Sequence, residues 1–220
     1  MELSQFGDLF DVVSAIGGFK NSSMTRFVFT QILEGTCHLH KSGYSHLDLK
    51  LDNILIGNDF KLKLCDFGMA AKVEEPIHKK LGTEGYMAPE VVLCKNFESY
   101  YGIQADIFSL GVILFILYFG QPPFNKADVN NDRFYSILVK KPEHFWRLQP
   151  TCKRVRDELK VETIDPSLID LLTKLLSKDL DKRPASIDEI MKHKFISEPE
   201  IQKTDGDFTE TFEEQFKSLV

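Results

Sequence analysis

The stretch that decides how this chain reads is Ser45–Gly68, SHLDLKLDNILIGNDFKLKLCDFG. Asp48 is followed closely by Lys50 and Asn53, and Asp66 stands directly ahead of Phe67-Gly68. A carboxylate, an ammonium and an amide packed this closely do not suit an apolar core, where each would need its own partner. They suit a site that handles a hard cation and phosphate. Mg²⁺ takes oxygen ligands, few of them from protein and the rest from phosphate and water. Asn53 and Asp66 can offer such oxygens. Asp48 is then left to accept a hydroxyl proton, and Lys50 to balance charge on a phosphoryl group in transfer.

The residues between these groups predict how they meet. Ile54-Leu55-Ile56 and Lys61–Cys65 read as two short strands, with Gly57-Asn58-Asp59 as the turn. Such a hairpin brings Asn53 and Asp66 together although thirteen positions separate them. Upstream, Asn21-Ser22-Ser23 is a capping cluster. Val28, Ile32, Gly35, Thr36 and Leu39 recur at helical spacing over Met24–Lys41, and Gly43 suits a left-handed cap. This helix delivers the chain to Ser45, and His40 reads as an ordinary residue at its end.

Downstream, Gln104–Phe119 is apolar nearly all round, as a helix buried on every side should be, with Asp106 as its lone acid. A helix is predicted near Asp132–Val139, then a polar, irregular stretch to about Val161 holding Trp146. Asp165-Pro166 is a cap with Pro at the first helical position, and Ser186-Ile187-Asp188-Glu189 is a capping box.

Three motifs carry a resemblance. His46-Leu47-Asp48-Leu49-Lys50-Leu51-Asp52-Asn53, Asp66-Phe67-Gly68 and Ala88-Pro89-Glu90 resemble the catalytic loop, metal-binding loop and A-P-E motif of eukaryotic protein kinases, in order and at similar spacing. The resemblance runs over about residues 1–196. It implies a mainly α fold: the larger C-terminal lobe of a kinase from the hinge onward, with short β-hairpins at the catalytic and metal-binding loops. The smaller β-rich lobe is expected to be absent, because no Gly-rich loop, V-A-I-K lysine or partner glutamate precedes Met1. Residues 1–196 are read as the partial kinase domain and 197–220 as an acidic tail.

The resemblance also implies roles. Asp48 and Lys50 are the catalytic pair, and Asn53 and Asp66 the Mg²⁺ ligands. Glu2 and Ser4 face the adenine edge of ATP through their backbone, Asp8 lies near the ribose, and Leu55 forms the adenine floor. Thr83, in Gly82–Glu90, bridges towards Asp48 and Lys50, an arrangement of serine/threonine type. Asp106 holds the catalytic-loop backbone, and Arg183 pairs with Glu90. Bland readings stand beside several of these: Asp8 as the opening of a helix, Leu55 as core filling, and Asp106 as a charge favoured at a helix N-terminus.

Two departures bear on regulation. Leu47 replaces the usual Arg that binds a phosphate in the activation segment, and between Gly68 and Met87 the only hydroxyl residues are Thr83 and Tyr86. Receiver and phosphate are thus missing together. Leu51 stands for the usual Pro.

Composition sets the frame. At 220 residues, with 43% hydrophobic and 27% charged residues, the chain suits one well-buried domain. A net charge of −6 gives no electrostatic reason for nucleic-acid binding. Four cysteines without C-x-x-C spacing read as reduced thiols, in a cytoplasmic or nuclear setting. Met1-Glu2-Leu3 lacks the basic start of a signal peptide, and the apolar run Ile107–Phe119 is shorter than the ~20 residues of a spanning helix. The expectation is a serine/threonine protein kinase region acting on protein hydroxyls with ATP and Mg²⁺, inactive by itself for want of the smaller lobe. The rival reading is a non-catalytic kinase-like binding module or a truncated fragment.

Overall fold

The computed structural model describes residues 6–95, 98–197 and 214. In chain order, α1 (Leu9–Ile16) and α2 (Ser22–Lys41) precede β1 (Tyr44–Ser45). A single 3-10 turn, Leu51–Asn53, leads into the hairpin of β2 (Ile54–Ile56) and β3 (Leu62–Leu64), and β4 (Ala71–Lys72) follows. The remainder is helical: α3 (Pro89–Val92), α4 (Gly102–Phe119), α5 (Arg133–Lys140), α6 (Pro142–Leu148), α7 (Pro150–Leu159), α8 (Pro166–Leu175), α9 (Ile187–Met191) and α10 (Lys194–Ser197).

The mainly α expectation holds, and the β structure among the described residues is two antiparallel two-stranded ribbons. One is the predicted hairpin, with Ile54 opposite Leu64 and Ile56 opposite Leu62. The other is not a hairpin: Tyr44 pairs with Lys72 and Ser45 with Ala71, joining the entry to the catalytic loop to the segment after Gly68.

α4 is the axis of the core. All but two of its eighteen residues are buried, and it packs on α2, α7, α8 and β1. By length and apolar composition it could cross a membrane, but its burial on every side makes it the helix around which the others pack. Gly111 permits the closest approach: a Cβ there would meet Leu175 Cβ of α8 at 2.8 Å.

The capping signals resolve as expected. Asn21 Oδ1 accepts from Met24 N at 2.9 Å, Asp165 Oδ1 from Ser167 N at 2.9 Å, and Ser186 Oγ from Glu189 N at 3.3 Å. α6 and α7 are the correction to the stretch read as irregular. Each opens with Pro at its first position, Pro142 and Pro150, where the missing N–H costs nothing. Their cores are Phe145, Cys152 and Val155, set on α4 with Trp146, whose indole N–H donates to Thr173 Oγ1 of α8 at 3.0 Å.

Candidate active site

The His46–Asn53 loop is fixed from beneath. Asp106, 1% exposed, accepts from His46 N at 2.7 Å and from Leu47 N at 2.8 Å. Its carboxylate serves the backbone of another loop rather than the N-terminus of its own helix. Leu47 takes a left-handed backbone (φ 66°), a conformation that costs a branched-chain residue free energy unless its surroundings hold it. Two charge-assisted hydrogen bonds from Asp106 supply that hold. His40 also reaches this carboxylate, Nε2 to Oδ2 at 2.8 Å. It is therefore part of the support, which its position at a helix end did not disclose.

His46 completes the scaffold. Its Nε2 donates to the Cys65 carbonyl at 3.0 Å, and its Nδ1 accepts from Asp48 N at 3.3 Å. Its ring stands 5.3 Å from that of Phe67. One imidazole thus spans the His46–Asn53 loop and the segment after β3 that leads to Asp66.

On this scaffold Asp48, 7% exposed, meets three groups. The Thr83 hydroxyl donates to Oδ1 at 2.7 Å. Lys50 Nζ lies 3.1 Å from Oδ2 and 3.0 Å from the same Thr83 oxygen. Asn53 Nδ2 donates to the Asp48 carbonyl at 2.9 Å and to Oδ2 at 3.3 Å. Carboxylate, ammonium and hydroxyl form a closed triangle. Gly82 lets the loop that carries Thr83 come this near: at φ 109° it stands where a Cβ would meet the Leu47 carbonyl at 2.6 Å.

Asp66 also has a left-handed backbone (φ 59°). It is exposed, and its Oδ1 accepts from Gly68 N at 3.2 Å. Cys65 N donates to the Asn53 carbonyl at 3.0 Å, extending the β2–β3 ladder by one bond, so Asn53 and Asp66 leave the hairpin at the same end. Asp8 is bridged to Leu55, in the middle of β2. Burial pushes the Cys65 thiol up, and the charges of Asp66 and Asp8 push it further.

Asp8 also caps α1, its Oδ1 accepting from Asp11 N at 3.0 Å. Leu55 is half-buried on the hairpin. Glu2 and Ser4 lie outside the described residues. The donor set fits a hard cation. The Asn53 amide nitrogen is spent on Asp48, which leaves its oxygen as the group to offer, and Asp66 adds an exposed carboxylate at the same hairpin end.

Further off, Arg183 has no exposed side-chain surface. It binds Glu90 through Nη1–Oε1 at 2.6 Å and Nη2–Oε2 at 3.2 Å. It also donates to the Gln104 carbonyl at 2.7 Å and to the Ser177 carbonyl at 2.8 Å. α3, α4 and the loop after α8 are thereby tied together. Ser109, which the sequence reading passed over, donates to the Tyr86 carbonyl at 2.9 Å.

Comparison with known proteins gives the family. The family model described as protein kinase domain matches residues 1–196. The chain belongs to the protein kinase family. A serine/threonine-protein kinase of Drosophila persimilis is 31% identical over 202 residues, 88% of this chain and 24% of that protein. A probable serine/threonine-protein kinase of Zea mays is 37% identical over 171 residues, 76% of this chain and 24% of that protein. A probable cell cycle serine/threonine-protein kinase of Encephalitozoon cuniculi is 34% identical over 205 residues, 91% of this chain and 39% of that protein. The chain thus spans about a quarter to two-fifths of these relatives.

The expectation that the smaller lobe is absent is corrected. The kinase domain match begins at residue 1 and continues to residue 196, so this stretch counts as kinase domain throughout. The missing motifs ahead of Met1 mark where a sequence begins, which is not a property of the fold. The expectation of inactivity is a separate matter, which phosphoryl transfer by the protein decides.

Proposed function

We propose that this serine/threonine kinase domain transfers the γ-phosphoryl group of ATP to a serine or threonine hydroxyl of a protein. The observation that carries the reading is the triangle of Asp48, Lys50 and Thr83, in which a side-chain hydroxyl donates to a carboxylate at 2.7 Å while an ammonium stands 3.0 Å from its oxygen. An acceptor hydroxyl needs the same two partners: one to orient it and take its proton, the other to balance charge on the group arriving at its oxygen. Asp48 has the first role and Lys50 the second. Thr83 ties the substrate-side loop to both.

Asn53 and Asp66 would hold Mg²⁺. The ion, when bound, neutralises charge on the phosphate oxygens. Asn53 has a further part in this reading, because its amide fixes the Asp48 carboxylate and so the direction from which Asp48 can take a proton. Asp8 and Leu55 would meet ribose and adenine, the bridge between them being the support. Glu2 and Ser4 would supply backbone groups to the adenine edge. The partners are then ATP and a protein substrate.

The test is transfer of radiolabelled phosphate from ATP to a generic protein substrate by the protein and its Asp48→Asn variant. Transfer that needs Asp48 is expected. Equal transfer by both would remove Asp48 from its role, and folded protein without transfer would favour a binding module.

A further inference from the structure

We propose that the groove between α5 and α8 is the docking seat, within the same chain, of the acidic C-terminal segment 198–220. The groove has a volume of about 680 Å³. Its floor is apolar, from Leu138, Val139 and Leu176, and its rim carries Lys174, Lys178 and Lys182 against the single acid Asp179. Lys174 is 46% and Lys182 75% exposed, and each has one carboxylate neighbour, Asp170 and Asp179 respectively. Such a groove fits a peptide that brings both apolar anchors and negative charge.

Residues 198–220 have that composition. They hold seven acids against two lysines, and Phe208, Phe212 and Phe216 spaced four apart. Large aromatic side chains are the usual anchors of an apolar groove.

The place where the described chain ends makes this segment the occupant. His193, just ahead of α10, is bound to Asp170 of α8 at 2.9 Å and lies 3.4 Å from Lys174 Nζ on the groove rim. α10 adds four residues and ends at Ser197. The eleven residues from there to Phe208 reach up to about 35 Å when extended. A tethered segment also binds at an effective concentration that a free peptide lacks. This seat shares no residue with the Asp48 triangle and does not depend on its chemistry.

Hydrogen exchange on the full 220-residue chain tests the proposal. Amides of residues 208–217 are expected to be protected, to the same degree at all protein concentrations. Changing Lys174, Lys178 and Lys182 together to Glu should lower that protection roughly tenfold, the scale of three exposed charge pairs. A Lys→Gln set, which adds no repulsion, should lower it less, and Phe212→Ala with Phe216→Ala should abolish it. Circular dichroism checks that each variant folds. Unprotected amides, or protection indifferent to the lysines, would overturn the proposal. Protection that grows with concentration would also overturn it, by putting the tail of a second copy in the groove.

Discussion

Two carboxylate–cation pairs in this molecule use the same chemistry in opposite ways. Arg183 and Glu90 form a forked pair, and the guanidinium is closed off by the Gln104 and Ser177 carbonyls, with no side-chain surface left to solvent. Asp48 and Lys50 are met by an alcohol and an amide that other groups could replace, and Lys50 keeps 22% of its side-chain surface. The first pair has every donor assigned to a fixed acceptor, so it holds three elements in register. The second is held in place by backbone bonds from beneath, to Asp106 and His46, while its own charges stay available. The comparison teaches that a kinase site needs both: rigid anchoring where nothing reacts, and incomplete satisfaction where something must bind.

The largest expected effect strikes the second pair. Asp48→Asn keeps the shape and removes the proposed base, so phosphoryl transfer should fall by about 10²–10⁴-fold, the usual contribution of general base catalysis. The melting temperature should change little, because Lys50 and Thr83 can still hydrogen-bond to an amide. Activity and thermal unfolding on one preparation check this. A variant that lost its fold would show that Asp48 is a strut like Arg183.

The first pair should respond the other way. Arg183→Ala leaves Glu90 and two carbonyls without their partner, and breaking a buried pair costs about 3–5 kcal/mol. Denaturant unfolding should show that loss. Activity per folded molecule should fall far less than in Asp48→Asn. If stability were unchanged, the forked pair would be worth no more than a surface one.

Alkali should also loosen the fold, through its buried phenols on both sides. Burial is the main cause raising Tyr86 to about 12 and Tyr100 to about 12, and it raises Tyr135, beside Arg183 and Glu90, as well. In the unfolded chain these phenols ionise near the ordinary value of about 10. Between pH 10 and 12 the unfolded state has released protons that the folded state keeps, so stability falls as pH rises; below 10 it is fully present. Tyr86 alone should account for a loss of roughly 2 kcal/mol across that window. Unfolding free energies at pH 9 and pH 11.5 measure it, and Tyr86→Phe should reduce the drop.

The two pairs were not equally legible in the sequence. Asp48, Lys50, Asn53 and Asp66 stand within nineteen residues, and a hairpin of three-residue strands is enough to gather them. Arg183 and Glu90 lie 93 positions apart, so only the family resemblance could suggest their pairing. His40 was passed over because its partner is 66 positions away, and a lone histidine at a helix end carries no local sign of a buried acid across the core. α6 and α7 were missed although Pro142 and Pro150 marked both starts, because their polar faces hid a short apolar pattern. Local chemistry is written locally; the struts are written in packing.

The smallest expected effect is none at all, and it asks how far the site depends on modification. In place of the usual Arg, Leu47 is buried at 6% exposure. Its side chain packs against Gly102, where a Cβ would stand 3.2 Å from Leu47 Cδ2. A phosphate could not be received there without exposing that leucine and burying charge in its place. The segment is instead tacked down by its own backbone. β4 pairs with β1, Ile77 and Tyr100 exchange hydrogen bonds at 2.9 and 3.1 Å, and the Tyr100 hydroxyl donates to the Lys79 carbonyl at 2.9 Å. From Met69 to Lys80 no residue carries a hydroxyl. Phosphatase treatment of active protein should therefore leave its rate unchanged, provided Thr83 is shown by mass spectrometry to be unmodified. A large loss of rate, traced to a phosphate held by the catalytic loop, would mean that this loop is switched like a mobile element rather than fixed from beneath by Asp106.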